Sequence, residues 1–298
     1  MKLRPLLLTS LILNFILLPG CSSPPKPHIL PLSEINKKFI QYCKDEFKLD
    51  VKLIALENTL WVYYPMTTPV FGIKVTDQGP QSSSEGKEQN AINFIDGKFQ
   101  DGAFRFQYDI GKTKKYTKDY GYGSNYSEEY QKAQRDILTA FQNVYFGVEA
   151  TPKDSPKLPQ YVVMVIADIK TGLEIENMFY FLDLKRAMSN PPDLTYDEYS
   201  KRFINDIRGK TAIIDDTEGT HLIYKEITME DFIPKQIINR MNFKYFKSSF
   251  PPSDDPVAEF KKSTQETINA YNFTSFYTLE LNDLATGKQT TINKAELL

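Results

Sequence analysis

The sequence predicts an α+β protein in which helices alternate with β-hairpins, the hairpins forming antiparallel sheets with the helices packed on one face. Apolar residues recur at spacings of three and four behind capping residues, and β-branched and aromatic residues cluster in paired short runs with turn residues between them. The 298 residues are 41% hydrophobic and 13% aromatic, with 36 Lys+Arg against 38 Asp+Glu. That is the composition of a foldable globular chain, not of a disordered, collagenous or coiled-coil one.

Ser33 is placed to cap a helix over 34–48, with Ile35, Phe39, Ile40, Cys43 and Phe47 on one face. Strands are expected over 51–56 and 59–64, joined at Glu57-Asn58, with a third over 70–75. A polar loop over 77–90 leads to strands at 91–95 and 104–110 around Asp96-Gly97. Residues 33–115 thus read as an N-terminal unit, one helix followed by an antiparallel sheet.

Residues 111–126 lack any period that would bury one face and read as an exposed loop, with the Tyr/Gly-rich stretch at 116–126. Residues 127–298 form a C-terminal unit of two or three helix-hairpin repeats. Ser127 caps a helix reaching 146, with Tyr130, Ile137, Phe141 and Tyr145 inward. A proline-rich connection over 151–159 precedes a buried strand at 161–169, a Lys170-Thr171-Gly172 turn and a return strand at 173–182. Thr195 and Glu198 have capping-box spacing for a helix that stops at Gly209. A hairpin of 211–214 and 221–227 then turns through 215–219. Thr228 caps a helix reaching 247, with Pro234 near its start, and Asp255-Pro256 opens a last helix to Tyr271. Strands at 275–281 and 289–293 close the chain.

Asp168-Ile169-Lys170-Thr171-Gly172 is echoed by Asp283-Leu284-Ala285-Thr286-Gly287. Asp can bond nearby amides and Gly supplies positive φ, so both suit hairpin turns. The echo reads either as a repeated helix-plus-hairpin unit or as shared turn chemistry.

Ahead of the body, Lys2 and Arg4 precede an apolar run over 5–18 and then Pro19-Gly20-Cys21, the layout of a secretory signal over 1–20. The run is shorter than the ~20 residues that span a bilayer. Leu18-Pro19-Gly20-Cys21 resembles the lipobox of bacterial lipoproteins, with Pro19 a less usual occupant of its position. The resemblance implies that Cys21 carries lipid and begins the mature chain, and that Ser22 after it directs the protein to the outer membrane. Residues 21–32, rich in proline, are an extended tether. Removing the leader takes Lys2 and Arg4, leaving 34 basic residues against the 38 acidic ones. No basic excess supports nucleic-acid binding. With only Cys21 and Cys43 present and Cys21 lipidated, no internal disulfide forms, and the register of Cys43 places it in the core.

Catalytic patterns are sparse. His28 and His221 are the only histidines, there is no His-Glu-x-x-His, and neither a metal site nor a cofactor is implied. Ser84-Glu85-Gly86-Lys87 and Lys170-Thr171-Gly172 echo two elements of the penicillin-binding signature, but its middle element is missing. Cys43 with His221 would make a thiolate pair only if the fold joined them. Asp215-Asp216-Thr217-Glu218-Gly219 offers carboxylates for acid/base work or a cation, or is simply a polar turn. Tyr116, Tyr120, Tyr122 and Tyr126 supply stiff contact area suited to a protein or glycan partner, unless their rings fold back over the sheet. The expected role is a lipid-anchored, non-enzymatic binding or assembly module at the periplasmic face of the outer membrane. The alternative is an envelope hydrolase with carboxylates that no motif reveals.

Overall fold

The computed structural model describes residues 31–72, 88–114, 126–147, 158–247 and 252–298. In chain order the elements are α1 (Leu32–Phe47), β1 (Lys52–Leu56), β2 (Thr59–Met66), β3 (Glu88–Gln100), β4 (Ala103–Lys114), α2 (Glu128–Val144), β5 (Tyr161–Asp168), β6 (Leu173–Tyr180) and α3 (Phe181–Ala187). They continue with α4 (Tyr196–Arg202), β7 (Ile204–Gly209), α5 (Met229–Asn242), α6 (Pro256–Tyr271), β8 (Thr278–Asp283) and β9 (Gln289–Asn293).

The fold is α+β, with a five-stranded sheet of order β1-β2-β5-β6-β7 and a four-stranded sheet of order β3-β4-β8-β9. Both are mostly antiparallel, and each joins two hairpins through one parallel seam. In the first sheet β2 runs parallel to β5, from Thr59 opposite Tyr161 to Met66 opposite Asp168. In the second β4 runs parallel to β8, from Ala103 opposite Thr278 to Tyr108 opposite Asp283. A parallel pair needs a crossover, and α2 and α6 stand immediately before β5 and β8.

Four layers result. Ile35, Phe39 and Cys43 of α1 and Ile137 and Phe141 of α2 cover Leu60, Val62, Val162 and Met164 on one face of the first sheet. Strand alternation sends Trp61, Tyr63, Val163 and Val165 to the other face, where Ile213, Ile227 and Phe232 meet them. Phe232 belongs to α5, whose Ile233, Ile237 and Met241 join Phe260 and Ile268 of α6 over Phe104, Phe106, Leu279 and Leu281 of the second sheet. The far face of that sheet is mostly polar, with Asp96, Lys98, Gln107 and Thr291 exposed alongside Phe94.

Several expectations are corrected. Residues 33–115 do not build one sheet, because β3 and β4 leave β1 and β2 to pair with the last two strands. The first helix starts at Leu32 with Pro31 ahead of it and no side-chain cap, so Ser33 does not cap it. Asp96-Gly97 is not a turn: β3 runs through it, and a Cβ on Gly97 would lie 2.2 Å from the Phe106 ring. The turn is at Asp101 and Gly102, both at positive φ (53° and 75°), as a two-residue hairpin demands. Of the strand expected over 70–75, Phe71 makes one isolated bridge, to Tyr126, and 73–75 lie outside the described residues. Residues 88–90 are strand, not loop, and 111–114 extend β4.

The helix begun at Thr195 stops at Arg202, and 204–209 form edge strand β7 against β6. Thr195 does accept its capping bond from Glu198 N–H at 3.2 Å, so the start signal is obeyed and only the stop was misread. The hairpin over 211–227 is absent: 211–213 form a 3₁₀ turn, and the rest is held by side chains and by a few backbone bonds such as Asp215 N–H to Ile169 O (2.9 Å). The Thr228 helix is regular to Asn242, after which 243–247 widen into a π-helical turn.

The two echoing turns are the same structure. Asp168 Oδ1 accepts from the N–H groups of Lys170 (2.9 Å) and Thr171 (3.1 Å), and Asp283 Oδ1 from those of Ala285 (2.9 Å) and Thr286 (3.3 Å). The Thr hydroxyl donates to the other carboxylate oxygen in each, and Gly172 and Gly287 sit at φ of 76° and 70°. Each closes the second hairpin of its sheet.

Candidate functional site

A buried group of titratable side chains lies where residues 211–228 cross the outer face of the first sheet. β6 presents Glu174 and β2 presents Tyr63 on that face, and the crossing segment supplies Asp216, His221 and Tyr224. The segment folds around Asp216, whose Oδ1 accepts from the N–H of Glu218 (3.1 Å) and Gly219 (2.9 Å) and whose Oδ2 accepts from the N–H of His221 (2.9 Å). Gly219 is required, since its φ is 74° and a Cβ there would lie 2.5 Å from the Tyr224 hydroxyl.

His221 is gripped at both ends: Nδ1 lies 2.6 Å from Asp216 Oδ2, and Nε2 lies 2.7 Å from Glu174 Oε2. The ring stands edge-on to Tyr63, centroids 5.8 Å apart, and the Tyr63 hydroxyl donates to the Asp216 carbonyl. The side chains of His221, Asp216 and Glu174 are 2%, 7% and 0% exposed. Burial alone would raise the Asp216 pKa, but the His221 amide and ring and the neighbouring amides outweigh it and hold the carboxyl well below its ordinary value. Burial, reinforced by the charges of Asp216 and Glu174, pushes the Tyr63 phenol up.

Hydrogen bonds at both ring nitrogens need two protons shared among the three groups. Such an array could relay protons, yet both nitrogens are engaged and shielded from solvent, so no substrate atom reaches them. Its work here is to clasp the crossing segment to the sheet, together with Trp61 Nε1–H donating to Lys225 O (2.9 Å) and Ile227 N–H to Thr59 Oγ1 (2.8 Å).

A second charged network fastens the two sheets' helices together. Arg202 Nη1 reaches Asp183 at 2.8 Å, Arg202 Nε reaches Glu198 at 2.8 Å, and Arg240 bridges Glu198 (2.6 Å) and Glu266 (3.3 Å). The Tyr271 hydroxyl donates to Asp183 at 2.8 Å. Burial opposes ionisation of Glu198, but Arg240 and Arg202 prevail and lower its pKa. Arg208 grips Glu176 with two nitrogens, at 2.7 and 3.1 Å.

Cys43 lies among the first core's apolar side chains, its thiol pushed up to about 12 by burial and by Asp136. It is therefore a poor nucleophile, and the sheet separates it from His221. Lys170 stands at the exposed hairpin turn, 3.3 Å from Asp215, while Ser84 and Lys87 lie outside the described residues. Cys21, Tyr116, Tyr120 and Tyr122 are outside them as well. Tyr126 is not an exposed loop residue. Its ring stacks on Phe71 (5.5 Å), lies 4.8 Å from Tyr130, and its hydroxyl donates to Asn205 at 3.2 Å. A groove of about 400 Å³ between α1 and α2 is lined by Ile35, Lys38, Tyr42, Asp45, Asn143 and Val144.

Sequence reasoning found the acidic turn but missed Glu174 as the partner of His221. The available signal was two glutamates, Glu174 and Glu176, sharing one face of a strand that reads as buried. Among the described residues no His, Cys, Asp or Glu cluster could hold a metal ion. Comparison with family models, curated proteins and solved structures finds no match.

Proposed function

We propose that the protein is a lipid-anchored binding or assembly module at the periplasmic face of the outer membrane, attached through Cys21 and engaging an envelope protein or glycan. The observation that carries this reading is Leu18-Pro19-Gly20-Cys21 behind a basic and apolar leader. The tether between Cys21 and α1 has ten residues, Ser22 to Pro31. Proline-rich chain rises ~3.1 Å per residue, so the body stands up to ~30 Å from the lipid. Among the described residues no helix is long and apolar enough to cross a membrane.

In this reading Tyr116, Tyr120 and Tyr122 face the partner, and Tyr126 fastens the end of their segment to the first core. A hydrolase would need carboxylates converging on a cleft that substrate can enter. Asp216 and Glu174 do converge, but on a buried histidine that ties two pieces of the fold together. That favours binding over hydrolysis. Replacing Cys21 by Ala is expected to abolish acyl labelling and to move the protein from the membrane fraction to the soluble fraction. Continued sedimentation with membranes would overturn the proposal.

A further inference from the structure

The two sheets share a plan, and the first carries one strand more. In each, a hairpin joins a second hairpin through a parallel seam, so β1, β2, β5 and β6 correspond to β3, β4, β8 and β9. The outer edge of β6 is covered by antiparallel β7, whereas β9 ends its sheet.

Sheet edges are ordinarily guarded by charge, proline or a bulge. β1 begins with Lys52, β7 carries Asp206 and Arg208, and β3 carries Asp96 and Lys98 with a register break between Ile92 and Phe94. β9, Gln289-Thr290-Thr291-Ile292-Asn293, has no charge, proline or bulge within the strand; Lys288 and Lys294 flank it, and the Glu296 carboxylate covers only its Asn293 end. Its register shows which groups point outward. Lys294 N–H donates to Tyr277 O and Asp283 N–H to Lys288 O, so alternate residues from 288 to 294 bond to β8. Gln289, Thr291 and Asn293 therefore turn their backbone away from it. Asn293 N–H is taken by Glu296 Oε1 at 3.1 Å, which among the described residues leaves the N–H groups of Gln289 and Thr291 as outward donors.

The strand is also palindromic in character about Thr291, with amide side chains at both ends and β-branched residues on either side of the centre. Laid antiparallel on its own copy, it matches Thr291 with Thr291, Thr290 with Ile292 and Gln289 with Asn293, with no charged pair among these five and Lys288 opposite Lys294 just beyond each end. At the centre Thr291 N–H meets Thr291 C=O reciprocally, and at each end Gln289 N–H meets Asn293 C=O, while the reverse bond, from Asn293 N–H to Gln289 C=O, forms only if Glu296 gives up that N–H. A two-fold interface must be self-complementary in this way. We infer that two copies of this chain pair through their β9 edges, antiparallel about Thr291, merging their four-stranded sheets into one of eight strands. The inference deepens the assembly role proposed above and rests on it for the anchoring that confines both copies to one surface and raises their effective concentration.

The full chain with its own leader, expressed in bacterial cells, tests this. A bonded antiparallel pair has Cα atoms about 5.5 Å apart, within the range a disulfide bridges. Thr291→Cys is exposed on the outer face and is expected to give a covalent homodimer under mild oxidation, at least about tenfold above the wild-type chain with its native cysteines. Gln107→Cys, also exposed but two strands inward, is expected to stay at background. A folded Thr291→Cys chain that remains monomeric, equal cross-linking at Gln107→Cys, or capture of a different protein at Thr291→Cys would each overturn the pairing. Fractionation of Cys21→Ala tests the anchor separately, and the cross-link reads the edge whichever way that result falls.

Discussion

Replacing His221 by Ala would leave Asp216 and Glu174 buried without the ring that satisfies both. Both carboxylates face each other across the vacated site, and Glu174 already has one oxygen without a hydrogen-bond partner among the described residues. Removing one member of a buried charge pair typically costs 3–5 kcal/mol, so a loss of about that size is expected near pH 7. At roughly 2–4 °C per kcal/mol for a large domain, the midpoint should fall by roughly 6–20 °C. The Asp216 pKa is lowered in the fold relative to about 3.9 when unfolded. Its contribution is therefore complete above that value and is lost as pH falls towards the folded-state pKa. His221→Ala keeps the amides but removes the ring's share, so the variant should lose less stability than wild type between about pH 4 and pH 2. Urea unfolding at pH 7 and along this acid limb reads both effects. A loss under about 1 kcal/mol at pH 7 would refute the clasp, because a solvated or expendable histidine is the only kind that costs so little.

Gly219→Ala places a methyl group against Tyr224 and Tyr63 at a positive φ, and is expected to cost about 1–3 kcal/mol in chemical unfolding. A neutral outcome would mean the turn around Asp216 is not held as described. The matched turns give an internal comparison: Asp168→Asn, in a buried carboxylate, should cost about 1.5–3 kcal/mol, while Asp283→Asn in the exposed turn should cost under about 1 kcal/mol. Equal losses by urea titration would show that burial does not set the strength of this turn.

Elements whose signals are local were legible in the residues. The Ser127 cap accepts from Tyr130 N–H at 3.1 Å, Asp255-Pro256 opens α6, and the Asp-x-x-Thr-Gly turns close their hairpins, because each is settled within a few residues. β7 was not legible. Phe203 to Gly209 follows a sound helix start and ends on a glycine, which is what a helix stop looks like, and only pairing with β6 makes it a strand. Glu174 was hidden for a related reason: 47 residues separate it from His221, and no periodicity links them.

Composition, capping residues and hydrophobic spacing by themselves determined that this chain is α+β, where most helices begin and which residues enter a core. The residues Leu18-Pro19-Gly20-Cys21, on which the proposed address depends, are likewise read from the sequence. Tertiary structure alone decided that β3 and β4 bypass their sequence neighbours to join β8 and β9, that two parallel seams tie the hairpins together, and that a histidine fastens a loop to a sheet. The physical reason is range. A turn or cap is fixed by bonds between residues a few positions apart, whereas a seam between Ala103 and Thr278 is chosen by which apolar faces cover one another once the whole chain has collapsed.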